Sequence, residues 1–484
     1  MPLSYLELLR NKLHSQFRKH EPSTVQMKLR DILQDRDFNI KLLSLTAPIT
    51  LQSLMLALVA AGDALMLGAV SQDAMAAVSL ATQIHFVQCM FLWSITAGIS
   101  VLGAQYWGKN DKVVLGQIFG LSVRESTLLS IAFFAGCFFF PRELMLLFAK
   151  DEQLISLGAQ YLKIASWSYL LAGISQCYLA IMRVSEHAAR SAQISTMAVL
   201  LNIVLNAVFI FGLFGVPEMG VRGAAVATVI ARIADLTWCI ISTFEKTYIR
   251  LKIKDLFVFN WKLTGDFWRY TSPIFGAGML WGIGFTAYTA IMGHMGTDAA
   301  AANAIAAVAR DLMCCICNGL AGGAGILIGN ELGAGNLIKG KEYGERTLIL
   351  SILTGLLSMI VILAVIPLIS CFMKLTPQAH TYMVGMFLIL SVYMIGRCIC
   401  TIVLGGIFAS GGDTMFDFCT LIIFMWCFAL PCAFIGAFVF HLPVLIVYAC
   451  TCLDEVGKVP FVILHFRKYK WVKNITRNDL ISNK

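Results

Sequence analysis

Four side chains inside long apolar runs have the types and spacing to hold one proton or one small cation. Asp63 lies in LLSLTAPITLQSLMLALVAAGDALMLG, fifteen residues after Pro48, which on a helix is roughly 22 Å of rise. A carboxylate at that depth costs on the order of 3 kcal/mol unless it faces a polar cavity. In LLNIVLNAVFIFG, Asn202 and Asn206 are four residues apart and share a helix face. The next apolar run, GVRGAAVATVIARIAD, adds the hydroxyl of Thr228. One carboxylate and three neutral oxygen donors describe a monovalent-ion pocket. Blander readings stand beside it: Asp63 as a cap near the outer interface, and the two amides as hydrogen-bonding glue between helices.

A second set of polar groups falls in later apolar runs. Arg310, Asp311, Arg397, Asp454, Glu455 and Lys458 comprise three cations and three anions, so mutual pairing is the least costly arrangement in lipid. At least one of Arg310 and Arg397 is expected within salt-bridge reach of Asp311, Asp454 or Glu455. Arg232 and Asp235, at i,i+3, are expected to neutralise one another. Trp281, Phe285 and Tyr288 recur at i, i+4 and i+7, an aromatic stripe available either to a substrate cavity or to packing. Cys314 and Cys317 form a CxxC spacing, but no histidine or second CxxC joins them, so a metal or redox centre is not expected. No nucleophile or metal constellation is visible. The chain is read as a non-enzyme without catalytic residues or cofactor, and with no metal site beyond a possible sodium at Asp63.

These residues need elements that hold them in a bilayer. With 484 residues, 58% hydrophobic and 13% charged, the chain is not a soluble enzyme. Its apolar stretches repeatedly exceed the roughly 20 residues a helix needs to cross a membrane. Twelve are visible, at about 42–68, 75–104, 117–140, 154–181, 192–214, 221–244, 271–293, 300–328, 347–370, 380–408, 416–440 and 443–465. Sliding the sequence by 225 places Thr46 on Thr271, Pro48 on Pro273, Gly68 on Gly293, Asp73 on Asp298, Gly98 on Gly323 and Gly108 on Gly333. Aligned Pro and Gly mark backbone geometry rather than bulk hydrophobicity. Asp63 has Tyr288 as its counterpart, so only one half carries the acid.

The expected fold is an all-α polytopic membrane protein, with twelve transmembrane helices in two pseudo-symmetric six-helix lobes. The lobes are parallel repeats, and the substrate path runs between them. The expected divisions are a basic N-terminal segment 1–41, a first lobe 42–244, a linker 245–270, a second lobe 271–465 and a basic tail 466–484. Lys and Arg concentrate in segment, linker and tail, which places all three, and both termini, in the cytosol. The net charge of +9 follows from that topology and from contact with anionic lipid, and nucleic acid is not a partner. Residues 314–317 and the scattered cysteines read as small core hydrophobes.

The paired features resemble the multidrug and toxic compound extrusion (MATE) family, bacterial type, over about 40–465. The resemblance is carried by Pro48 and Asp63 followed by Leu67–Gly68, by GAQYWGKND at 103–111 with IGNELGAGN at 328–336, and by LLNIVLN with GVRGAAVAT. The tail KYKWVKNITR also looks like that of bacterial members. The resemblance implies a secondary active antiporter in the bacterial inner membrane. It would export organic, commonly cationic, small molecules in exchange for H+ or Na+ by alternating access, and a monomer is expected. Residue by residue, it places the first-lobe ion site on Asp63, Asn202, Asn206 and Thr228. The positions where a sodium-linked branch carries acids on spans 7 and 10 hold Trp281 and Cys398, beside Arg397, which puts a second-lobe cation site in doubt. Trp281, Phe285, Tyr288, Arg310 and Arg397 are the candidates for lining the substrate cavity. Rival readings are a lipid-linked saccharide flippase of the same superfamily and, more remotely, an intramembrane enzyme. A flippase for an anionic head group would want unpaired cations.

Overall fold

A computed structural model describes residues 35–245, 247–372 and 375–478, without the side chains of 58–61, 63–65, 253 and 371–372. Most of the expected 1–41 segment thus lies outside the described residues. The chain divides into the units Met1–Ile40 and Lys41–Lys484. Residues 36–40 form the start of a helix.

The long helices are α1 (Arg36–Val70), α2 (Gln72–Gly108), α3 (Lys112–Phe139), α4 (Glu152–Val184), α5 (Ala188–Phe211) and α6 (Gly220–Ser242). The second set comprises α7 (Trp261–His294), α8 (Thr297–Gly333), α9 (Leu337–Phe372), α10 (Pro377–Phe408) and α11 (Thr414–Phe438). These eleven are long and apolar enough to cross a membrane, and no strand occurs among the described residues. The expected twelfth helix, α12, is present in three pieces, Val444–Thr451, Leu453–Val456 and Val459–Phe466. Gly457 and Pro460 weaken the ladder there, and the break falls on Asp454, Glu455 and Lys458, all buried.

The contacts between the lobes repeat across the duplication. A Cβ on Gly108 would strike the carbonyl of Asn330, and a Cβ on Gly333 would strike the carbonyl of Gln105. A Cβ on Gly98 would meet the hydroxyl of Thr271, and one on Gly323 the hydroxyl of Thr46. Every one of these residues lies 225 positions from its counterpart (Gln105 to Asn330, Thr46 to Thr271). Residue i meeting j′ while i′ meets j is the signature of a two-fold axis. The axis passes near Ala104 and Gly329, themselves counterparts, where a Cβ on the glycine would sit 2.8 Å from the alanine Cβ. That point lies at the ends of α2 and α8, so only an axis running along the helices keeps both lobes in one bilayer, and the two halves run in the same direction, as parallel repeats. Glycine is required along this seam because helix backbones approach to contact there.

Two helices, α7 and α9, begin ten residues before their apolar runs, at Trp261 and Leu337 rather than at about 271 and 347. Helix α7 begins at Trp261, capped by Asn260, whose side chain accepts from the Leu263 amide at 3.3 Å. The last ten residues of the expected 245–270 linker are thus its first turns. Polar residues such as Lys262, Asp266 and Arg269 extend a helix beyond its apolar run without altering its period. The rest of the linker is pinned on α3 through the short helix Ile253–Phe257, where a Cβ on Gly120 would strike the Asp255 carbonyl.

Candidate ion and substrate sites

The first-lobe candidates come together on α5 and α6. Asn202 and Asn206 are buried. The Asn206 amide donates to Asn202 Oδ1 at 3.3 Å, the Asn202 amide donates to Thr228 Oγ1 at 3.4 Å, and the Thr228 hydroxyl donates to the Ala224 carbonyl at 2.9 Å. Three of the four expected residues thus form one hydrogen-bonded row across two helices. The backbone of Asp63 is helical, within α1, and its side chain lies outside the described residues.

Among the other polar groups in this lobe, His85, Gln88 and Gln52 carried no sequence signal beyond being isolated in apolar runs, whereas Arg232 and Asp235 were expected to pair. His85 stacks on Tyr169 with ring centroids 4.9 Å apart, and its Nε2 lies 3.5 Å from Cys89 Sγ. Gln88, fully buried, donates to Ser130 Oγ and to the Tyr169 carbonyl. Gln52 on α1 accepts from Arg183 at 3.1 Å and donates to Ser195 at 2.7 Å. Arg232 and Asp235 pair at 3.6 Å, with the carboxylate buried.

In the second lobe both candidate guanidinium groups are paired. Arg310 meets Asp311 at 2.9 Å, and Arg397 meets Glu455 at 2.5 Å; Glu455 also takes Lys458 at 3.0 Å. Each guanidinium lies over a ring of the aromatic stripe, Arg310 4.4 Å from the Phe285 centroid and Arg397 5.5 Å from that of Trp281. Such stacking stabilises a desolvated cation. The stripe itself packs within the lobe: Trp281, Phe285 and Tyr288 join Phe418, Leu421 and Met425 of α11. The face of α7 turned to the other lobe is a different one, where a Cβ on Gly278 or Gly282 would lie 3.8 Å from Trp93 or Met90. The five cavity candidates are thus brought together, and they line the second lobe's interior. Cys317 Sγ lies 2.8 Å from Cys398 Sγ in the same core.

The C-terminal tail forms a site where sequence reasoning expected only a basic cytosolic segment. Trp471 is completely buried, seated against Gly344 of α9. Beyond it the chain runs across the ends of α2 and α8. Gln105 donates to the carbonyls of Ser410 (2.7 Å) and Lys473 (3.2 Å) and accepts from the Ile475 amide at 2.8 Å. The Arg477 amide donates to the Tyr106 hydroxyl at 3.1 Å, and Lys109 donates to the Arg477 carbonyl at 2.7 Å. The Arg477 side chain grips both oxygens of Asp266 on α7, at 2.5 and 2.7 Å. Asn474 donates to the Gly333 carbonyl at 3.2 Å. A strap rooted in the second lobe therefore binds α2 of the first. On the other side of the axis Asn330, the counterpart of Gln105, donates to Glu186 at 3.1 Å. The paired GAQYW and IGNEL stretches were the sequence signal for this seam; the strap had none beyond its KYKWVKNITR motif.

Comparison with known proteins is consistent across the chain. The sequence profile described as MatE matches residues 48–208 and 273–435. The "Probable multidrug resistance protein NorM" of Rhizobium meliloti is 29% identical over 60% of this chain and 62% of its own length, so that match spans less than two thirds of the relative. The protein of the same description from Thermotoga maritima is 24% identical over 90% of this chain and 93% of its own. Among solved structures, a mutant of the Vibrio cholerae MATE transporter VcmN superposes with a TM-score of 0.81 at 16% identity, covering 90% of this chain and 97% of that one. A MOP superfamily transporter from Pyrococcus furiosus gives 0.80 at 17% identity, covering 92% and 98%. At such identities the structural likeness establishes the fold.

Proposed function

The chain belongs to the MatE family, and on that premise we propose that it is a secondary active antiporter exporting organic compounds in exchange for protons or sodium ions. The observation that carries this reading is the two-fold seam. Two six-helix lobes meet through reciprocal glycine contacts at the end where α2 and α8 terminate, and the strap closes that end. Two bodies joined by one small-residue seam can rock about it, opening the space between them to one side or the other. The basic linker and tail mark the strapped end as cytosolic, so the described conformation is the one closed to the cytosol. The membrane is the bacterial inner membrane. Both halves of the pathway come from one chain, so a monomer suffices.

In this reading the ion binds in the first lobe at Asp63, with Asn202, Asn206 and Thr228 as neutral oxygen donors. A ligand shifts a two-state equilibrium only by its difference in affinity between the states, so the three residues of α5 and α6 that form the row must move relative to α1 during the cycle. The substrate is an organic cation. Arg310 and Arg397 are each neutralised by a carboxylate, which leaves neither free to attract an anionic head group, as a flippase would need.

The test is transport by the purified protein in liposomes, loaded with a fluorescent cationic dye, under an imposed proton gradient and then a sodium gradient. Asp63→Asn is expected to insert and to bind dye but to lose gradient-driven efflux. Pumping by that variant at the wild-type rate would overturn the ion site.

A further inference from the structure

We propose that the cavity at the strapped end of α11 binds the headgroup of an anionic phospholipid, whose acyl chain lies along α11. The cavity measures about 540 Å³. Its polar wall is built from Lys470, Lys473 and the pair His465–Asp413, joined at 2.7 Å. His465 is held flat by Phe416, with ring centroids 3.9 Å apart and planes 12° from parallel. The carboxylate in the wall is thus engaged by the imidazole, and neither lysine has a carboxylate partner among the described residues. Two lysines lining one cavity call for an anion.

The lysines are not on a free tail. They flank Trp471, which is completely buried; a Cβ on Gly411 would strike its carbonyl and one on Gly344 its ring. That anchor fixes the backbone from which both ammonium groups project, so little ordering cost remains when an anion binds.

The apolar floor selects a lipid over a free phosphate. Met415 and Cys419 line the cavity, and the same helix face continues through Ile423 and Cys427, all four exposed. Steps of four residues keep one face of a helix, and twelve residues span roughly 18 Å, about the depth of one leaflet's hydrocarbon. A phosphate with an attached acyl chain satisfies both halves of this surface. Inorganic phosphate uses only one.

The purified full chain in neutral detergent is titrated with phosphatidylglycerol, with phosphatidylcholine and with inorganic phosphate, and bound lipid is counted by native mass spectrometry. Phosphatidylglycerol is expected to bind at one site, at least tenfold tighter than phosphatidylcholine. Lys470→Gln with Lys473→Gln is expected to weaken it about thirtyfold, from the known worth of a surface cation toward anionic lipid. Arg467→Gln with Lys468→Gln removes the same charge from the same tail outside the cavity, and is expected to change binding less than about threefold, because long-range attraction is screened. Equal binding of phosphatidylcholine, or an equal loss in the two double variants, would show diffuse attraction and overturn the site. Displacement of the lipid by inorganic phosphate at matching concentration would make it a free-phosphate site and overturn the lipid assignment.

Discussion

Replacing Gln105 by alanine should unfasten the strapped end without unfolding either lobe. Gln105 is fully buried at the end of α2 and makes three hydrogen bonds across the seam, to Ser410, Lys473 and Ile475. At about 1 kcal/mol net for each, their loss removes about 3 kcal/mol. All three exist only while the lobes are closed here; once parted, the same groups meet water. The change therefore falls on the equilibrium between closed and open forms, and about 3 kcal/mol is about a hundredfold in population. Hydrogen–deuterium exchange reads that population directly when opening is fast compared with exchange. Amides of 99–109 and of 470–478 in Gln105→Ala should exchange about a hundredfold faster than in wild type. Those in the middle of α4 and α10, inside the lobes, should not change. Asn330→Ala is the control from the duplicated position. It loses one bond, to Glu186, so the expected acceleration is about fivefold. If exchange at the end of α2 and in the tail is unchanged in Gln105→Ala, the strap does not hold this end closed.

Gly108→Val and Gly333→Val should each abolish dye efflux in liposomes while leaving each lobe folded, because the added side chain meets a backbone carbonyl of the opposite lobe; wild-type efflux by either variant contradicts the seam. Glu455→Gln should lower stability in detergent by about 3–5 kcal/mol, since it leaves Arg397 and Lys458 buried beside a neutral amide. Adding Arg397→Met should return part of that loss, a non-additivity that thermal unfolding of both variants measures and that additive losses would contradict. Trp471→Ala should cost about 3–5 kcal/mol of tail docking, seen as rapid proteolysis after α12; an equally resistant tail would mean that the anchor is not Trp471.

The spans were legible because a bilayer permits little else: each crossing must be a long apolar helix, and bounds read from hydropathy fall within a few residues of α2 to α6, α8, α10 and α11. The starts of α7 and α9 were not, since their first turns lie beyond the apolar run and carry charge. The break in α12 was visible only as charge, three ionisable groups within five residues. In lipid those groups can be kept by pairing, as Glu455 does with Arg397 and Lys458, at the expense of a continuous helix. The row of Asn202, Asn206 and Thr228 was partly legible from i,i+4 spacing, but its link across to α6 is tertiary. Trp281, Phe285 and Tyr288 share a face as their spacing requires, yet periodicity cannot say which neighbour that face meets; packing on α11 turns it into the lobe. The strap was illegible for the plainest reason: Gln105 and Ile475 are 370 residues apart, and KYKWVKNITR has the composition of a solvated tail.

The duplication leaves the seam symmetric and the chemistry on its flanks not. Asp63 has Tyr288 as its counterpart in sequence, and Arg397 and Glu455 have no charged equivalents 225 residues earlier, where Ala172 and Ile230 stand. In the proposed antiporter, an ion held in one lobe must therefore act on a seam that treats both lobes alike. Helix α1 is the element through which it can. It carries Asp63, and fifteen residues earlier it meets α8, where a Cβ on Gly319 or Gly323 would strike the side chains of Thr50 or Thr46. Pro48 lies between those two threonines, at a point where the helix lacks one backbone hydrogen bond and bends at low cost. Force applied at Asp63 thus reaches the seam through a helix that is weakest where it touches the other lobe. In the second lobe Pro273 and Thr271 repeat this geometry against Gly98, but Tyr288 offers no charge to pull on, so the drive is expected from one side only.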